Sequence, residues 1–154
     1  VKKNRAHLEV FLQWVSEMHT VEDTEKYLTK CANDQNEGTE WSFNIFKEDK
    51  IIGRIGLHQI DKKNNNACIG YWMAKKEQGK GIITTATQLL INYAFTVLQL
   101  HRIEILTATQ NVKSAAIPLL LGFKKEGVLR EMERHGDDYF DLNVFSLLAK
   151  EWHT

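Results

Sequence analysis

Two glycines flank a lysine at Gly79, Lys80 and Gly81, between an apolar segment and a long amphipathic pattern. These residue types predict a turn that leads from a strand into a helix. The first N–H groups of a helix lack intrahelical partners, and the helix dipole adds partial positive charge there. Glycine lets a phosphate approach the backbone closely, and Lys80 adds a charge nearby. The turn therefore predicts an anion site, with a plain connecting turn as the alternative.

Two common nucleotide-binding motifs do not account for this turn. The pattern G-x-x-x-x-G-K-[ST] is absent, and Thr84 stands where G-x-G-x-x-G requires its third glycine. No early βαβ unit precedes the turn either. A phosphate site at this turn would therefore belong to a motif other than these two.

Metal and covalent chemistry are not indicated by the remaining reactive residue types. The six histidines show no metal spacing, and neither C-x-x-C nor H-E-x-x-H occurs. Cys31 and Cys68 lie far apart and lack the motif of a nucleophile, so we interpret both as structural residues. The sequence predicts no metal.

Apolar spacing predicts the elements that must position the turn. A first helix is indicated by apolar residues at helical spacing, namely Leu8, Phe11, Leu12 and Val15. Thr20 is predicted to cap a second helix, with acidic residues in its first turn. Alternating segments on both sides of a turn at 48–50 predict a β-hairpin, and the "ACIGYWMA" segment predicts a third strand.

The second half of the chain continues with a helix after the glycines. A strand over "HRIEILTAT" and a short helix over "NVKSAAIPLLLGF" follow. Two last antiparallel strands are predicted around a turn at 135–138. The order ααβββαβαββ predicts an α+β fold, with a mainly antiparallel sheet flanked by helices.

Length and composition predict one domain over residues 1–154, since 154 residues with 43% hydrophobic content suffice for one core. Lys+Arg and Asp+Glu both number 20, and this balance argues against direct nucleic-acid binding. No run of about 18 apolar residues predicts a membrane span, and no signal peptide is visible. Reduced cysteines fit a cytoplasmic protein.

The ordered motifs resemble the GNAT N-acetyltransferase superfamily. The segment from Gln78 to Ile83 is similar to its Q/R-x-x-G-x-G/A signature, and it follows the expected strand and opens the expected helix. Asn111 with Ser114, and the run Leu121-Gly122-Phe123, resemble later positions of that superfamily. The resemblance covers essentially the whole chain.

Two further motifs resemble the RimJ/RimL branch of ribosomal-protein N-terminal acetyltransferases. These are the strand end Gly70-Tyr71-Trp72 and the late pair Tyr139-x-Asp141. Within that branch, the chain is most similar to the bacillary ribosomal N-acetyltransferases. The resemblance implies a GNAT fold and acetyl-CoA as donor.

The resemblance also implies where acetyl-CoA would bind. Its pyrophosphate would lie on backbone N–H groups after Gln78, and its pantetheine arm would pair with the third strand like an added strand. That strand would diverge from the "HRIEILTAT" strand, and the thioester would enter the gap. The implied cofactor residues are Trp72, Met73, Ala74, Gln78, Gly79, Lys80, Gly81, Ile82, Ile83, Thr84 and Asn111.

Two departures from the family pattern are visible. Ile83 stands where glycine or alanine is usual, so its side chain must point away from a phosphate. The family also begins with a strand before its first helices, whereas this chain starts at Val1 with a helical pattern. With that strand absent, the predicted sheet has a free edge.

The resemblance suggests how the leaving CoA thiolate would be stabilised. The tyrosine that many GNAT enzymes place in the last helix is replaced here by Pro118. RimL-like enzymes can use a serine at the position of Ser114, which would protonate the thiolate or only hydrogen-bond it. Proline cannot donate to the Ser114 carbonyl, so we expect a helix that is bent or opened there and turns Ser114 towards the cofactor.

A carboxylate base is implied on the strand "VLREMERH". The resemblance indicates Glu133, which would take the proton of the acceptor amine directly or through water. Two-residue alternation places Glu131 on the same face as Glu133, opposite Met132 and Arg134. Glu131 therefore remains a rival base.

The acceptor site is less well indicated. Asp141 lies in an apolar strand and needs a partner, so it either orients substrate or forms a structural pair. His135 and Tyr139 lie near the same turn, and Trp14 belongs to the first helices that the resemblance suggests as a substrate lip.

The functional prediction is acetyl transfer from acetyl-CoA to a primary amine, with a ribosomal-protein N-terminus as the favoured acceptor. The alternatives are a small-molecule amine acetyltransferase, a non-catalytic CoA-binding regulatory protein, and a structural module. Family grounds favour a homo-oligomer, and the apolar segment "LNVFSLLA" predicts a strand that needs cover, for which another subunit is one source.

Overall fold

The computed structural model describes residues 4–153. Six strands form one sheet in the order β1-β2-β3-β4-β6-β5. The strands are Trp41–Lys47 (β1), Lys50–Asp61 (β2), Asn66–Met73 (β3), Arg102–Ala108 (β4), Lys124–His135 (β5) and Asp138–Leu148 (β6). The helices are Arg5–Leu8 (α1), Trp14–Glu17 (α2), Val21–Glu37 (α3), Ile82–Thr96 (α4) and Val112–Leu120 (α5).

The N-terminal segment differs from the single helix predicted for it. It forms two one-turn helices, α1 and α2, because Arg5 folds the chain back on itself. Its guanidinium donates to the Val15 carbonyl at 2.7 Å, and it also donates to the Met18 carbonyl. Leu8 and Val15 are nevertheless both buried, as their apolar spacing predicted.

Helix α3 begins where the sequence predicted. The Thr20 hydroxyl accepts from the Asp23 N–H at 3.1 Å, and the Asp23 carboxylate accepts from the Thr20 N–H at 2.8 Å. This reciprocal capping box satisfies two of the free donors at the helix start. The helix ends at Gly38, whose φ of 68° favours glycine.

Most strand pairings in the sheet are antiparallel, which confirms the predicted α+β class and mainly antiparallel sheet. β3 and β4 form the parallel pair. The predicted hairpins over 41–61 and 124–148 are both present. None of the helices among residues 4–153 has the length and apolar character needed to cross a membrane.

The main core lies between the sheet and α4. Its buried residues come from five elements and include Leu57, Ile69, Ile91, Ile103, Ile105, Phe145 and Leu147. Tyr93 of α4 contacts Trp41 and Phe43 edge to face, with ring centroids 6.1 Å and 6.4 Å apart. Burial of these side chains is the main term that holds α4 against this face.

The opposite face of the sheet carries α3. Tyr27 of α3 lies under the Arg54 guanidinium, which is 5.0 Å from the ring centroid. Arg54 alternates along β2 with Ile55, which faces the α4 core. The sheet therefore separates two sides, with α4 on one and α3 on the other.

Strand β6 is interior to the sheet, between β4 and β5. Its Leu142, Phe145 and Leu147 are buried within this chain. The apolar character that suggested cover from another subunit is thus satisfied by the chain's own elements. Homo-oligomer formation stays a prediction without that support.

An ionic network joins β4, β6 and β5, the last three strands in the sheet order. Arg102 of β4 donates to Glu126 of β5 at 2.8 Å, and Ser146 of β6 donates to the same carboxylate at 2.6 Å. These bonds, with the Arg102 bond first, lower the pKa of Glu126 from its ordinary 4.5 to about 2. A carboxylate whose pKa falls on folding stabilises the native state only while it is ionised.

We expect Glu126→Gln to lower the free energy of unfolding near pH 7 by about 1 kcal/mol or less, because solvent screens this half-exposed pair. The stability difference from the natural chain should be complete above about pH 4.5. It should vanish as the pH falls towards 2, where the folded carboxylate is protonated. Denaturant unfolding across pH 2–7 measures it.

Glu25→Gln is the matched control, since Glu25 is exposed on α3 and in no ion pair among residues 4–153. The two variants should differ near pH 7 and converge in acid. A constant difference across the whole range would contradict the assigned ionic contribution.

Candidate active site

The sheet opens between β3 and β4. Asn66–Cys68 pair with Arg102–Glu104, and no further pairs within residues 4–153 join the two strands. β3 nevertheless continues to Met73 and β4 to Ala108. The second half of β3 therefore keeps one edge without a strand partner in this part of the chain, and its backbone groups there can accept an extended ligand. The divergence that the sequence predicted is present.

The glycine turn lies after the end of this open edge, beyond a short 3-10 turn over Lys75–Glu77. Gly79 has φ 75° and Gly81 has φ 74°, values that are strained for residues with a Cβ. Gly81 caps α4, whose first bond joins the Thr85 N–H to the Gly81 carbonyl at 2.9 Å. The N–H groups of residues 82–84 consequently have no intrahelical acceptor. The backbone thus presents donors of the kind that bind phosphate.

The predicted charge of Lys80 is partly neutralised. Its Nζ lies 2.8 Å from Glu77 Oε2, and Lys47 lies 3.4 Å from the same atom. The hydrogen bond from Lys80 is the largest cause that lowers the pKa of Glu77. Anion binding at this turn therefore depends mainly on backbone donors.

The N-terminal segment contacts the same turn. The Gln78 amide nitrogen lies 2.7 Å from His7 Nε2, and the Lys75 N–H donates to the Asn4 side chain at 3.2 Å. Burial, followed by the charges of Lys75 and Lys113, lowers the pKa of His7. His7 was not predicted as a site residue, since no motif connects it with a position 71 residues away.

Ile83 points away from the turn, as its size required. Its side chain is 9% exposed and packs with Ile52 and Met73. Two predicted cofactor residues, Met73 and Ile83, therefore contribute buried side chains, which leaves their backbone for a ligand. The other predicted residues of this group, Trp72, Ala74, Ile82 and Thr84, are partly exposed around the end of β3 and the start of α4.

Helix α5 begins at the open end of β4. Asn111 caps it, with its side-chain oxygen accepting from the Ser114 N–H at 3.2 Å. α5 runs from Val112 to Leu120, so Pro118 does not end the helix, and a bend there stays a prediction. The Ser114 carbonyl is not left open, since the Tyr71 hydroxyl donates to it at 3.0 Å.

A β-bulge interrupts the alternation predicted for β5. Leu129 pairs with Leu142 and Glu133 with Phe140, so four steps on β5 match two on β6. Glu131 lies inside this bulge at φ 51° and is exposed. Its N–H donates to Asp141 Oδ1 at 2.7 Å, so Asp141 has a structural partner.

Glu133 lies outside the bulge, beside His135. The two side chains are 33% and 10% exposed, and His135 Nε2 lies 3.2 Å from Glu133 Oε1. That contact is not aligned as a hydrogen bond, so Nε2 is buried without a hydrogen-bond partner among residues 4–153. The imidazole stacks on Phe140, with ring centroids 4.2 Å apart. A buried, unpaired imidazole nitrogen remains available to a ligand.

A cavity of about 240 Å³ lies against His135, between the end of the β5–β6 hairpin and the N-terminal segment. It is lined by Glu9, Val10, Gln13, Ser16, His135, Gly136 and Phe140. Glu9 and Gln13 were not predicted, because their roles depend on how the first helices fold back. Most of its lining side chains are polar, and Val10 and Phe140 contribute its apolar surface.

Two predicted substrate residues lie elsewhere. Trp14 stacks on Tyr27 at 5.9 Å with an interplanar angle of 2°, which fastens α2 to α3. Tyr139 pairs in register with Arg134, one position away from the Glu133–Phe140 pair, and so lies on the opposite face from His135. Their contact with a substrate stays a prediction.

Known proteins share the fold described above. Residues 4–124 match the family model described as an acetyltransferase (GNAT) domain. This chain belongs to the GNAT acetyltransferase family. The family match agrees with the glycine turn, whose sequence resembles the GNAT signature. It also agrees with the open strand edge, which that resemblance implied.

Relatives of this GNAT protein include "Putative ribosomal N-acetyltransferase YdaF" of Bacillus subtilis (strain 168), at 45% identity over 108 residues. That match covers 70% of this chain but 59% of the relative's own length. The Ribosomal-protein-serine acetyltransferase of Escherichia coli (strain K12) is 35% identical over 144 residues, which cover 94% of this chain and 80% of that protein.

A solved structure of RimL, a ribosomal L7/L12 alpha-N-protein acetyltransferase in complex with coenzyme A, superposes on this GNAT protein with a TM-score of 0.91. The two are 26% identical, and the match covers 96% of this chain and 83% of that one. The predicted GNAT fold and the RimL-like resemblance are confirmed.

We expect Ile83→Ala to lower the free energy of unfolding of this GNAT protein by about 2–4 kcal/mol, because it leaves a cavity beside Ile52 and Met73. Leu89→Ala on the same helix is the control. Leu89 is 64% exposed, so its loss should change stability by about 0.5 kcal/mol or less. Equal effects in denaturant unfolding would show that Ile83 does not anchor the turn.

Proposed function

We propose that this protein is an N-acetyltransferase that moves an acetyl group from acetyl-CoA to a primary amine, most specifically a protein N-terminal α-amine of the ribosomal type. The observation that carries the proposal is the open edge of β3, which is followed, after a short 3-10 turn, by the glycine-capped start of α4. The RimL complex with coenzyme A supports it, since that structure has the same fold.

Acetyl-CoA fits the donor groups of this chain. Its pyrophosphate would be held by the N–H groups that follow Gly81, and its pantetheine amides would pair with the open edge of β3. Gln78 and Asn111 would add polar contacts at the two ends of this path. When bound, acetyl-CoA supplies the acetyl group as a thioester.

Glu133 is proposed as the base. It would take one proton from the acceptor ammonium, directly or through water, so that the neutral amine can attack. His135 would orient Glu133 through Nε2, which lies 3.2 Å from the carboxylate. Glu131 is the weaker candidate, because its backbone is held in the bulge and its side chain is exposed.

Ser114 is proposed to stabilise the departing sulfur. A thiol ionises far more readily than an alcohol, so a hydrogen bond from the Ser114 hydroxyl suffices for the thiolate. The hydroxyl has one proton, so it would leave its 3.3 Å contact with the Tyr71 oxygen to make that bond. The second proton of the amine reaches the CoA sulfur or bulk water after the C–S bond breaks. No covalent intermediate on the protein is required.

The acceptor class rests on the names of the relatives and on the cavity beside His135. Glu9 lines that cavity and Glu133 lies beside His135, and an ammonium group prefers carboxylate neighbours. The Glu9 charge is shared with Arg5, which lies 2.7 Å away.

The first test is thiol release from acetyl-CoA with a panel of N-terminal peptides and small amines. We expect release with peptides that have a free α-amine, and a loss of about 100-fold or more in Glu133→Gln, because the base is removed. Glu131→Gln is the matched control and should retain most activity.

Each outcome of this panel is informative. Release with small amines alone would keep the chemistry and replace the acceptor. Loss in Glu131→Gln rather than Glu133→Gln would reverse the choice of base. No release with any acceptor, despite CoA binding, would favour a regulatory CoA-binding protein.

The second test concerns the glycine turn. CoA at about 100 times its Kd should raise the free energy of unfolding by about 2.7 kcal/mol. Gly81→Ala should reduce this gain, because φ 74° becomes strained and a Cβ enters the phosphate path. Calorimetric titration of CoA gives the affinity directly.

Gly122→Ala is the matched control for the turn. Gly122 also has a positive φ, 82°, and open space for a Cβ, but it lies just after the end of α5, away from the start of α4 in the chain. Both variants should lose similar stability without ligand, while only Gly81→Ala should lose CoA affinity. Equal affinities would overturn the phosphate role of the turn.

A further inference from the structure

Pro118 leaves an unsatisfied acceptor inside α5. In a regular helix, the N–H of residue 118 would donate to the carbonyl of Ser114, but proline has no N–H. Pro118 is buried within a helix that continues to Leu120. A partly buried carbonyl without a donor would cost free energy, so a partner from outside the helix is expected.

Tyr71 of β3 is that partner. Its hydroxyl donates to the Ser114 carbonyl at 3.0 Å, and the Ser114 hydroxyl donates back to the phenol oxygen at 3.3 Å. Burial raises the pKa of Tyr71 to about 12, which keeps the phenol protonated and able to donate. Tyr71 was noticed in the sequence only as the centre of the Gly70-Tyr71-Trp72 motif.

Ser114 is consequently held at three atoms. Its N–H donates to Asn111 at 3.2 Å, and its carbonyl and hydroxyl both contact Tyr71. Tyr71 belongs to the strand whose edge is open, whereas Ser114 belongs to the helix that follows β4. The phenol therefore joins the two walls of the gap at the residue proposed to meet the leaving sulfur.

We propose that Tyr71 is a positioning residue with two separable tasks: it replaces the donor that Pro118 removes from α5, and it holds the Ser114 side chain at the gap, where the hydroxyl proton would turn from the phenol oxygen to the leaving sulfur. The second task rests on the proposed acetyl transfer, and the first does not. Substitution at residue 118 can separate them, because an alanine there restores the missing N–H without restoring the phenol.

The first task is tested by an unfolding cycle of the natural chain, Tyr71→Phe, Pro118→Ala and the double variant. Tyr71→Phe should lower the melting temperature by about 3–8 °C, because the Ser114 carbonyl loses its donor. Pro118→Ala should raise the melting temperature more in the Tyr71→Phe variant than in the natural chain. In that variant the alanine N–H donates to a Ser114 carbonyl that has lost its phenol donor. Additive effects of the two changes would overturn this exchange of donors.

The second task is tested by steady-state kinetics on the same four proteins. Tyr71→Phe should lower kcat by about 10- to 100-fold while the KM for acetyl-CoA changes by about twofold or less, because orientation and not cofactor binding is lost. The double variant should regain stability without regaining kcat. Recovery of kcat together with stability would show that Tyr71 acts only on the helix.

Ser114→Ala provides the matched test that Tyr71 acts through Ser114. Adding Tyr71→Phe to Ser114→Ala should lower kcat no further. If the two residues acted independently, their fold reductions in kcat would multiply. If the natural chain transfers no acetyl group to any acceptor, the proposed function fails, but the unfolding cycle still decides the exchange between Pro118 and Tyr71.

Discussion

The parting of β3 from β4 after three residue pairs is the constraint on which the rest of the site depends. Sheet strands normally satisfy each other's backbone groups, and an open edge inside a sheet needs another partner. The surrounding elements keep the gap open: α4 packs behind β3, and α5 follows β4. A ligand with its own amides can complete the ladder, which is why an extended thioester carrier suits this fold.

Hydrophobic packing holds the start of α4, the helix that follows the glycine turn, in place. Ile83 is buried against Ile52 and Met73, so the start of α4 cannot move away from the end of β3. Its free N–H groups therefore keep a fixed direction, and an anion meets donors that are already aligned. The residue that departs from the family signature thus contributes to the site through its side chain, while the backbone remains available.

The folded N-terminal segment connects the regions proposed to bind the donor and the acceptor. His7 contacts Gln78 of the glycine turn, whereas Glu9 and Gln13 line the cavity beside His135. Arg5 bonds to two carbonyls of the same segment, and Trp14 stacks on Tyr27. One short stretch thus contacts both halves of the site, and its position is set by polar contacts as much as by burial.

The sequence by itself determined the element order from α3 onwards, the capped start of α3, the two hairpins, the glycine turn and the GNAT resemblance. Each depends on local patterns: apolar period, a capping pair such as Thr20 with Asp23, or a residue type such as glycine at positive φ. These signals are readable because their physical causes act within a few neighbouring residues.

Tertiary structure alone decided what depends on contacts between distant residues. The bulge that separates Glu131 from Glu133 is set by pairing with β6, and two-residue alternation cannot reveal it. α5 continues through Pro118, and Tyr71, 43 residues from Ser114, supplies the donor that proline lacks. His135 meets Phe140 and the cavity only when the hairpin and the first helices come together. Such contacts have no local sequence signal, since chain folding rather than spacing brings their partners within reach.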